Sequence, residues 1–342
     1  MTATIAGSVA AMKALYPDGE LPKSINDTFA TLKRVKKETN FVGELAYVPI
    51  QNANPQGSSA DLPTAQANVQ QGNYLRQALR RVTHHGVARV TGEAAEAAVQ
   101  SEGAMVDLWD NETRGIATTE MSTLATYFFG SGDGVLGRIL SGVGTTVVTL
   151  YTDTNMNYFE LGMTLRVVSA TGLNPTVRVE ASRAVVLGID RRNRTLTFGS
   201  ALSTHATSAA DGEYLVRSGD QAGVLTRTVI TGLDEYIKGG TTPGTLNELN
   251  RNADPVRLAG QAIDYTGWAH EDAAVDASAQ AGFQGIGYPS VLICNNIEVA
   301  NMKKNLGAKI IYYDGGGKAK HSFSGVSIDG EAGPIEILAD PF

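Results

Sequence analysis

Cysteine and charged side chains are scarce in this sequence. Cys294 is the only cysteine in 342 residues, so no disulfide can form within the chain and a small, oxidised secreted domain is excluded. Charged residues make up 18% of the chain, below the level of about a quarter that is usual in soluble proteins. A surface with so little charge suits a subunit that buries much of itself against others.

Long apolar runs are also missing. No uninterrupted stretch of about 20 apolar residues could cross a bilayer, and Met1–Ala14 lacks the basic start and apolar run of a secretion signal. We therefore expect neither membrane insertion nor secretion, with the cytoplasm as the natural compartment. The net charge of −7 opposes non-specific attraction to phosphate. It disfavours a dedicated DNA-binding module but suits a wall that encloses DNA without gripping it.

The length predicts about two domains, at roughly 150 residues each. At the amino end, residues 21–40 predict an amphipathic helix. Its basic residues are Lys33, Arg34, Lys36 and Lys37. This cluster could touch DNA or an acidic scaffold, but a charge run on a helix is more often a solvated face, which we favour.

Residues 44–91 predict a long hairpin. Glu44–Ile50 and Tyr74–Thr91 are expected to be extended, and Gln51–Pro63 between them is rich in Pro, Gly, Asn and Ser. The tip has too few large apolar residues to fold against a core of its own, and an isolated two-stranded arm is marginal in water. We therefore expect a neighbouring subunit to support it, with a flexible surface loop as the alternative.

A long helix and a β-rich segment come next. Apolar spacing predicts a helix over Ala104–Phe129, about 39 Å long, ending where six glycines lie between Gly130 and Gly144. Short strands are predicted at Val147–Tyr151, Thr164–Val168, Arg183–Asp190, Thr195–Gly199, Tyr214–Arg217 and Leu225–Ile230. They indicate a small β-barrel or sandwich, with its clearest hairpin turn at Asp190–Arg194.

The remainder mixes helices and strands after a turn-rich bridge at Thr245–Asp264. Helices are predicted at Glu271–Phe283 and Ile297–Leu306, and strands at Ser290–Cys294, Ile310–Asp314, Val326–Ile328 and Ile335–Ala339. We expect the Ser290–Cys294 strand and its thiol to be buried. The fold class is therefore α+β.

Two glycine clusters imitate nucleotide-binding motifs. Gly132, Gly134 and Gly137 have dinucleotide spacing but follow a helix, whereas that motif needs a strand before it and a helix after it. Gly315–Lys318 imitates a phosphate loop, but Ala319 stands where Ser or Thr should hold magnesium. We expect helix termination, close packing and a turn at these glycines, and no cofactor.

Two further groups imitate metal sites: Asp153, Asn155 and Asn157, and His84 and His85 with Cys294. The first lacks the turn glycine and bidentate carboxylate of a calcium loop. The two histidines would face opposite ways on a strand, so they cannot join one zinc site without distortion. No motif of a nucleophilic or metal-dependent enzyme is present, so we expect neither catalysis nor a metal.

Four short sequence segments, together with this order of elements, point to a known family. They are Ala53-Asn54-Pro55-Gln56-Gly57, Ala65-Gln66-Ala67-Asn68, Gly92-Glu93, and Asn252-Ala253-Asp254-Pro255-Val256-Arg257-Leu258-Ala259-Gly260. The sequence resembles the major capsid proteins of tailed bacteriophages with the Hong Kong 97-like fold, in the subgroup that carries a β-rich insertion. The similarity covers most of residues 20–342.

The resemblance implies an organisation into six parts: an N-terminal arm at 1–43, an extended loop over a neighbour at 44–91, the spine helix and peripheral domain at 92–145, the insertion at 146–230, the axial domain at 231–325, and a return to the peripheral domain at 326–342. It implies self-assembly through hexamers and pentamers into an icosahedral head that encloses double-stranded DNA. The implied location is the virion, assembled in the host cytoplasm. Implied partners are portal, scaffold or decoration proteins, with no membrane and no cofactor.

The interface is expected at the hairpin. The residues concerned are Asn54, Pro55, Gln56 and Gly57 at the tip, and Arg76, Arg80, Arg81 and Arg89 in the returning strand. The arginines are expected to pair with Glu93, Glu96, Asp107 or Asp110 of adjoining subunits, because Arg binds carboxylates in a bidentate manner. Some relatives link this loop covalently through a lysine, which is excluded here because no lysine lies between Lys37 and Lys238.

Three other interpretations stay open. An encapsulin-like shell has the same fold and encloses protein cargo, and neighbouring portal and terminase genes would instead indicate a phage. A tail or connector protein would form tubes or rings. An oxidoreductase using the glycines at 132–137 would be stabilised by a nicotinamide cofactor. Relatives often continue past the point equivalent to Phe342, so a longer natural polypeptide is also conceivable.

Overall fold

The computed structural model describes residues 30–36, 43–89, 102–152, 154–172, 175–222, 227–238, 243–285, 287–306, 327–330 and 333–341. The chain divides into two compact units, Met1–Val35 with His84–Thr126, and Lys36–Thr83 with Tyr127–Phe342. Helices and strands contribute about equally, which confirms the α+β class. None of the helices in the described ranges combines the length and apolar character needed to cross a bilayer.

The predicted amino-terminal helix is seen in one short piece. Helix α1, Ala30–Arg34, lies inside the predicted range of 21–40 and buries Thr31 and Leu32. Residues 21–29 and 37–40 lie outside the described residues.

The predicted hairpin is present. Strand β1 (Leu45–Ala53) pairs antiparallel with β2 (Asn73–Arg80), and the short helix α2 (Leu62–Ala67) lies at the tip. Pairing runs from Leu45 opposite Arg80 to Gln51 opposite Tyr74 and then shifts register. The prediction that the second strand continues beyond Arg80 is wrong for residues 81–89, which belong to no strand.

The predicted long helix is confirmed as α3, Glu102–Phe129. At 1.5 Å per residue its 28 residues are about 42 Å long. It contains no proline, and it ends before Gly130, whose amide donates to the Tyr127 carbonyl. For residues 102–111 only the backbone is described.

A closed β-barrel follows the helix. Its region contains β3 (Val135–Ser141), β4 (Val147–Leu150), β5 (Thr164–Val168), β6 (Val179–Glu180), β7 (Ala184–Asp190), β8 (Thr195–Phe198), helix α4 (Leu202–His205), β9 (Ala206–Thr207) and β10 (Tyr214–Arg217). Six strands close the barrel in the order β10, β3, β4, β8, β7, β5, while β6 pairs with β9. Of the two predicted β architectures, the barrel is therefore the one observed.

The barrel is filled by the inward side of its strands. Alternate residues point inward along a strand, and the fully buried ones include Ile139, Val148, Leu165, Leu196 and Leu215. The predicted turn after Asp190 is confirmed, because Oδ1 of Asp190 accepts hydrogen bonds from the backbone amides of Arg192 and Asn193.

Two strand predictions in this region differ from the structure. Strand β3 was not predicted, so the barrel begins at Val135, ahead of the expected boundary at 146. The strand predicted at Leu225–Ile230 is wrong for residues 227–230, which are irregular, and Leu225 lies outside the described residues.

The glycines near residue 134 serve packing. A Cβ atom on Gly134, which has a φ of +78°, would lie 2.2 Å from the Asp220 carbonyl oxygen. A Cβ atom on Gly137 would lie 2.4 Å from Cγ2 of Thr154. The motif also follows α3 and enters a strand, the reverse of the order that dinucleotide binding requires.

A compact bridge leaves the barrel. It contains α5 (Leu233–Tyr236), β11 (Thr245–Leu246), β12 (Leu249–Asn250) and α6 (Pro255–Leu258). Asn247 and Glu248, both with positive φ, form the two-residue turn between β11 and β12. Arg251, only 2% exposed, donates to the carbonyl oxygens of Glu235 and Pro243 at 2.7 Å each.

The tail is a small α+β layer. It contains α7 (His270–Phe283), β13 (Val291–Cys294), α8 (Asn296–Leu306), β14 (Ser327–Gly330) and β15 (Gly333–Ala339). The sheet order is β13, β15, β14, with β13 parallel to β15. These elements confirm the predicted ones, except that β13 and Cys294 are partly exposed where burial was expected. The strand predicted at Ile310–Asp314 lies outside the described residues.

Candidate interaction site at the β1–β2 hairpin

The described hydrogen bonds of the four predicted tip residues all go to other residues of the same hairpin. Gln56 exchanges two backbone hydrogen bonds of 3.0 Å with Gln70. Asn54 accepts a 3.0 Å bond from the Gln51 amide side chain. Asn54, Pro55 and Gln56 are exposed, and Gly57 is half-buried beneath Val69. The tip is thus locally ordered without resting on the rest of the described chain.

Helix α2 shapes the tip and turns apolar side chains outward. Asp61 caps it by accepting hydrogen bonds at Oδ2 from the Thr64 amide (3.1 Å) and hydroxyl (2.7 Å), and Pro63 suits the first turn. Leu62 remains 70% exposed and Val69 63% exposed. No residue of α2 is buried, so the helix has no apolar core of its own.

The strands behind the tip are also poorly covered. Ala78 is the one buried residue of β1 and β2. Leu45, Tyr47, Val48 and Tyr74 are all exposed. Because a two-stranded hairpin is marginal in water, a surface of this kind is stabilised by anything that covers it.

The base of the hairpin is anchored. The Ala78 amide donates to the carbonyl oxygen of Asn247, outside the hairpin, at 2.8 Å. The Arg81 amide donates to the Glu44 carbonyl oxygen at 2.9 Å and closes the hairpin itself. Beside this anchor lies a cleft of about 520 Å³. Its lining residues are Leu45, Ala78, Leu79, Arg80, Val82, Arg227, Val229, Ile230, Thr231, Tyr236, Thr245, Leu246, Asn247 and Glu248. We call it the base cleft.

The predicted arginines have neighbours within the chain. Arg76 forms a 3.2 Å ion pair with Glu248, and its guanidinium carbon lies 4.7 Å from the centre of the Tyr47 ring. Arg80 lies 3.8 Å from Glu44. Both pairs are exposed, and such pairs contribute only about 0 to 1 kcal/mol, so a neighbouring carboxylate could replace either acid.

The structure describes Arg81 and Arg89 but not the side chains of their predicted acidic partners. Arg81 and Arg89 are exposed and form no ion pair with a described residue. Of their predicted partners, Glu93 and Glu96 lie outside the described residues, and Asp107 and Asp110 belong to the part of α3 with only the backbone described. Pairing between copies therefore stays a prediction.

The groups that imitate metal sites have other contacts. His84 Nδ1 lies 2.6 Å from Glu120 Oε2, and the expected strand around His84 and His85 is absent. Asn155 and Asn157 both donate from their side-chain amides to the Pro341 carbonyl oxygen at 2.9 Å. Within the described ranges, no cluster of three or more His, Cys, Asp or Glu residues could hold a metal ion.

The base cleft was not predicted from the sequence. Nine of its fourteen lining residues come from residues 227–248, where the sequence predicted only the end of a strand at Ile230 and the start of a turn-rich bridge at Thr245. The available signals were the apolar residues Val229, Ile230 and Leu246, which lie among polar and turn-forming residues.

No protein-family model matches the chain, and no curated protein or solved structure matches it either. Its function is therefore inferred from the residues and their contacts.

Proposed function

We propose that this chain is a shell-forming subunit, the major capsid protein of a tailed bacteriophage with the Hong Kong 97-like fold. Copies assemble through hexamers and pentamers into the icosahedral head of the virion, in the host cytoplasm. The head encloses double-stranded DNA without sequence-specific binding. Portal, scaffold or decoration proteins are the expected partners.

The observation that carries this proposal is the hairpin β1–β2. It is anchored at its base through Ala78 and Asn247, while the far end, from Asn54 to Gln70, satisfies its hydrogen bonds within itself and exposes Leu62 and Val69. Exposing these side chains to water is unfavourable by about 25 cal/mol per Å² of apolar surface. A second copy of the same chain is the partner that is always present at equal concentration.

The order of elements supports the same proposal. The hairpin is followed by a helix of 28 residues, then a closed barrel, then an α+β tail. This is the order that the resemblance to the capsid family implies. The low charge of the chain also suits a protein that hides much of its surface between copies.

Negative-stain electron microscopy of the purified chain tests the proposal. Closed shells are expected, whereas tubes or rings would indicate a tail or connector protein, and isolated particles of single-chain size would overturn the proposal. Leu62→Asp should abolish the shells because it places a charge in the covered tip. Leu161→Asp is the matched control, since Leu161 is 67% exposed on the barrel and should leave assembly unchanged.

A further inference from the structure

Three polar side chains meet beside the barrel, where the chain leaves β6 and helix α4 ends. Oγ of Ser182 lies 2.7 Å from Nδ1 of His205, and Oγ of Ser200 lies 2.9 Å from Nε2 of the same ring. Ser182 is exposed, whereas His205 is only 9% exposed. A hydroxyl that solvent can reach is thus paired with a buried imidazole.

The imidazole is held firmly by its surroundings. Leu202 and Ala206, near His205 in sequence, are 0% and 3% exposed and belong to the barrel core. The carbonyl oxygen of His205 accepts a 2.8 Å hydrogen bond from the Ala181 amide, which ties the segment carrying Ser182 to the end of α4. Support of this kind keeps two reacting side chains in one geometry.

The hydrogen bonds of the ring suit a general base. A neutral imidazole donates from one nitrogen and accepts at the other. When Nε2–H of His205 donates to Ser200, Nδ1 is left to accept the proton of Ser182. A nucleophile and a base within roughly 2.6–3.2 Å, with the base oriented by a third group, is the arrangement that nucleophilic catalysis uses.

We propose that Ser182 is a nucleophile that takes acyl groups from activated esters, with His205 as its general base and Ser200 positioning the ring. Nδ1 of His205 takes the hydroxyl proton while Oγ of Ser182 bonds to the ester carbonyl carbon. The bond from that carbon to the leaving oxygen then breaks, and the leaving group departs with the bonding electrons and the proton from Nδ1. Water attacks the acyl-serine in the same way, which releases the acid and returns a proton to Oγ.

Two features define the acyl donor. Ser200 is neutral, so it orients the ring but cannot stabilise the imidazolium as the carboxylate of a triad does, and this restricts the reaction to good leaving groups. Arg183 follows Ser182 directly, is exposed and forms no ion pair with a described residue. A free cation beside the nucleophile favours a leaving group that departs as an anion. Aryl esters and acyl phosphates meet both conditions.

Acetylation of the intact chain by p-nitrophenyl acetate tests the site. Peptide mass spectrometry should find Ser182 acetylated much faster than Ser203, an exposed serine of α4 that serves as the internal control. Ser182→Ala should remove the fast release of p-nitrophenolate, whereas Ser203→Ala should retain it. His205→Gln should slow acetylation of Ser182 by about 100-fold, the lower end of what a general base contributes.

The positioning role of Ser200 has its own measurement. Ser200→Ala should slow acetylation of Ser182, and Ser200→Thr, which keeps the hydroxyl, should restore the rate. Melting temperatures separate loss of chemistry from loss of fold in the variants of buried His205. Acetylation of Ser182 no faster than that of Ser203 in the unaltered protein would overturn the proposal, and this comparison needs no variant. The result does not depend on whether the chain forms shells.

Discussion

The backbone amide of Ala78 donates a 2.8 Å hydrogen bond to the carbonyl oxygen of Asn247, and this bond fastens the hairpin to the turn between β11 and β12. Ala78 lies opposite Tyr47 in the hairpin ladder, and because its amide bonds to Asn247, this is a non-hydrogen-bonded pair whose Ala78 amide points away from β1. The hairpin is therefore held at its base, whereas no described hydrogen bond joins its far end, from Asn54 to Gln70, to the rest of the chain.

Ala78→Pro should loosen the hairpin from the bridge. Proline removes the donated hydrogen bond while leaving the amides that face β1 in place. Trypsin should then cut faster at Arg76, Arg80 and Arg81 than in the unaltered protein. Gln71→Pro is the control, because Gln71 is exposed outside both strands and should not change those cleavage rates. Equal rates in the two variants would contradict an anchoring role for Ala78.

Arg251→Ala should destabilise the second unit strongly. The buried guanidinium bridges Glu235 and Pro243, and breaking such a buried charged contact costs about 3 kcal/mol of unfolding free energy. Arg257→Ala is the matched control from the same segment, since its pair with Asp254 at 3.6 Å is exposed and should contribute less than about 1 kcal/mol. Urea unfolding measures both, and similar losses would contradict this difference.

Tyr265 should titrate late. Partial burial, followed by the hydrogen bond from its hydroxyl to Asp276, raises the pKa of Tyr265 to about 12. The folded state thus favours the neutral phenol, so its stabilising contribution is complete below the unfolded pKa of about 10 and is lost as the pH rises through about 12. Absorbance at alkaline pH should show a late phenolate component in the native protein that Tyr265→Phe removes. An unchanged titration curve in that variant would contradict the assignment.

How far the sequence predicted this structure depended on whether the signal was local. Alternation and turn residues identified the hairpin, apolar spacing identified α3, and Asp190 marked the turn between β7 and β8. Strand β3 was missed because Gly137 and the glycines on either side of the strand look like a break in sequence. In the barrel wall, Gly137 instead allows a close approach to Thr154, whose Cγ2 would lie 2.4 Å from a Cβ atom at this position.

Contacts between distant residues could not be predicted. Arg76 was expected to pair with an acid of another copy, but Glu248 lies 172 residues away in the chain and beside it in the fold. The base cleft has the same origin, because residues near 80 and near 230 meet there. Local patterns describe single elements, whereas such sites depend on how the elements pack.

Assembled particles should come apart into single chains. Because no lysine lies between Lys37 and Lys238, the hairpin cannot form lysine-mediated covalent links to a neighbour. Particles boiled in detergent under reducing conditions should therefore release only monomer in denaturing gels. A ladder of oligomers that resists reduction would contradict this prediction.

Sedimentation velocity of the purified chain over a rising concentration series tests most directly whether one copy supports the hairpin of another. Species much larger than the 36.0 kDa chain should appear and grow with concentration. A single species of 36.0 kDa at every concentration would contradict the proposal that the tip from Asn54 to Gln70 rests on a second copy.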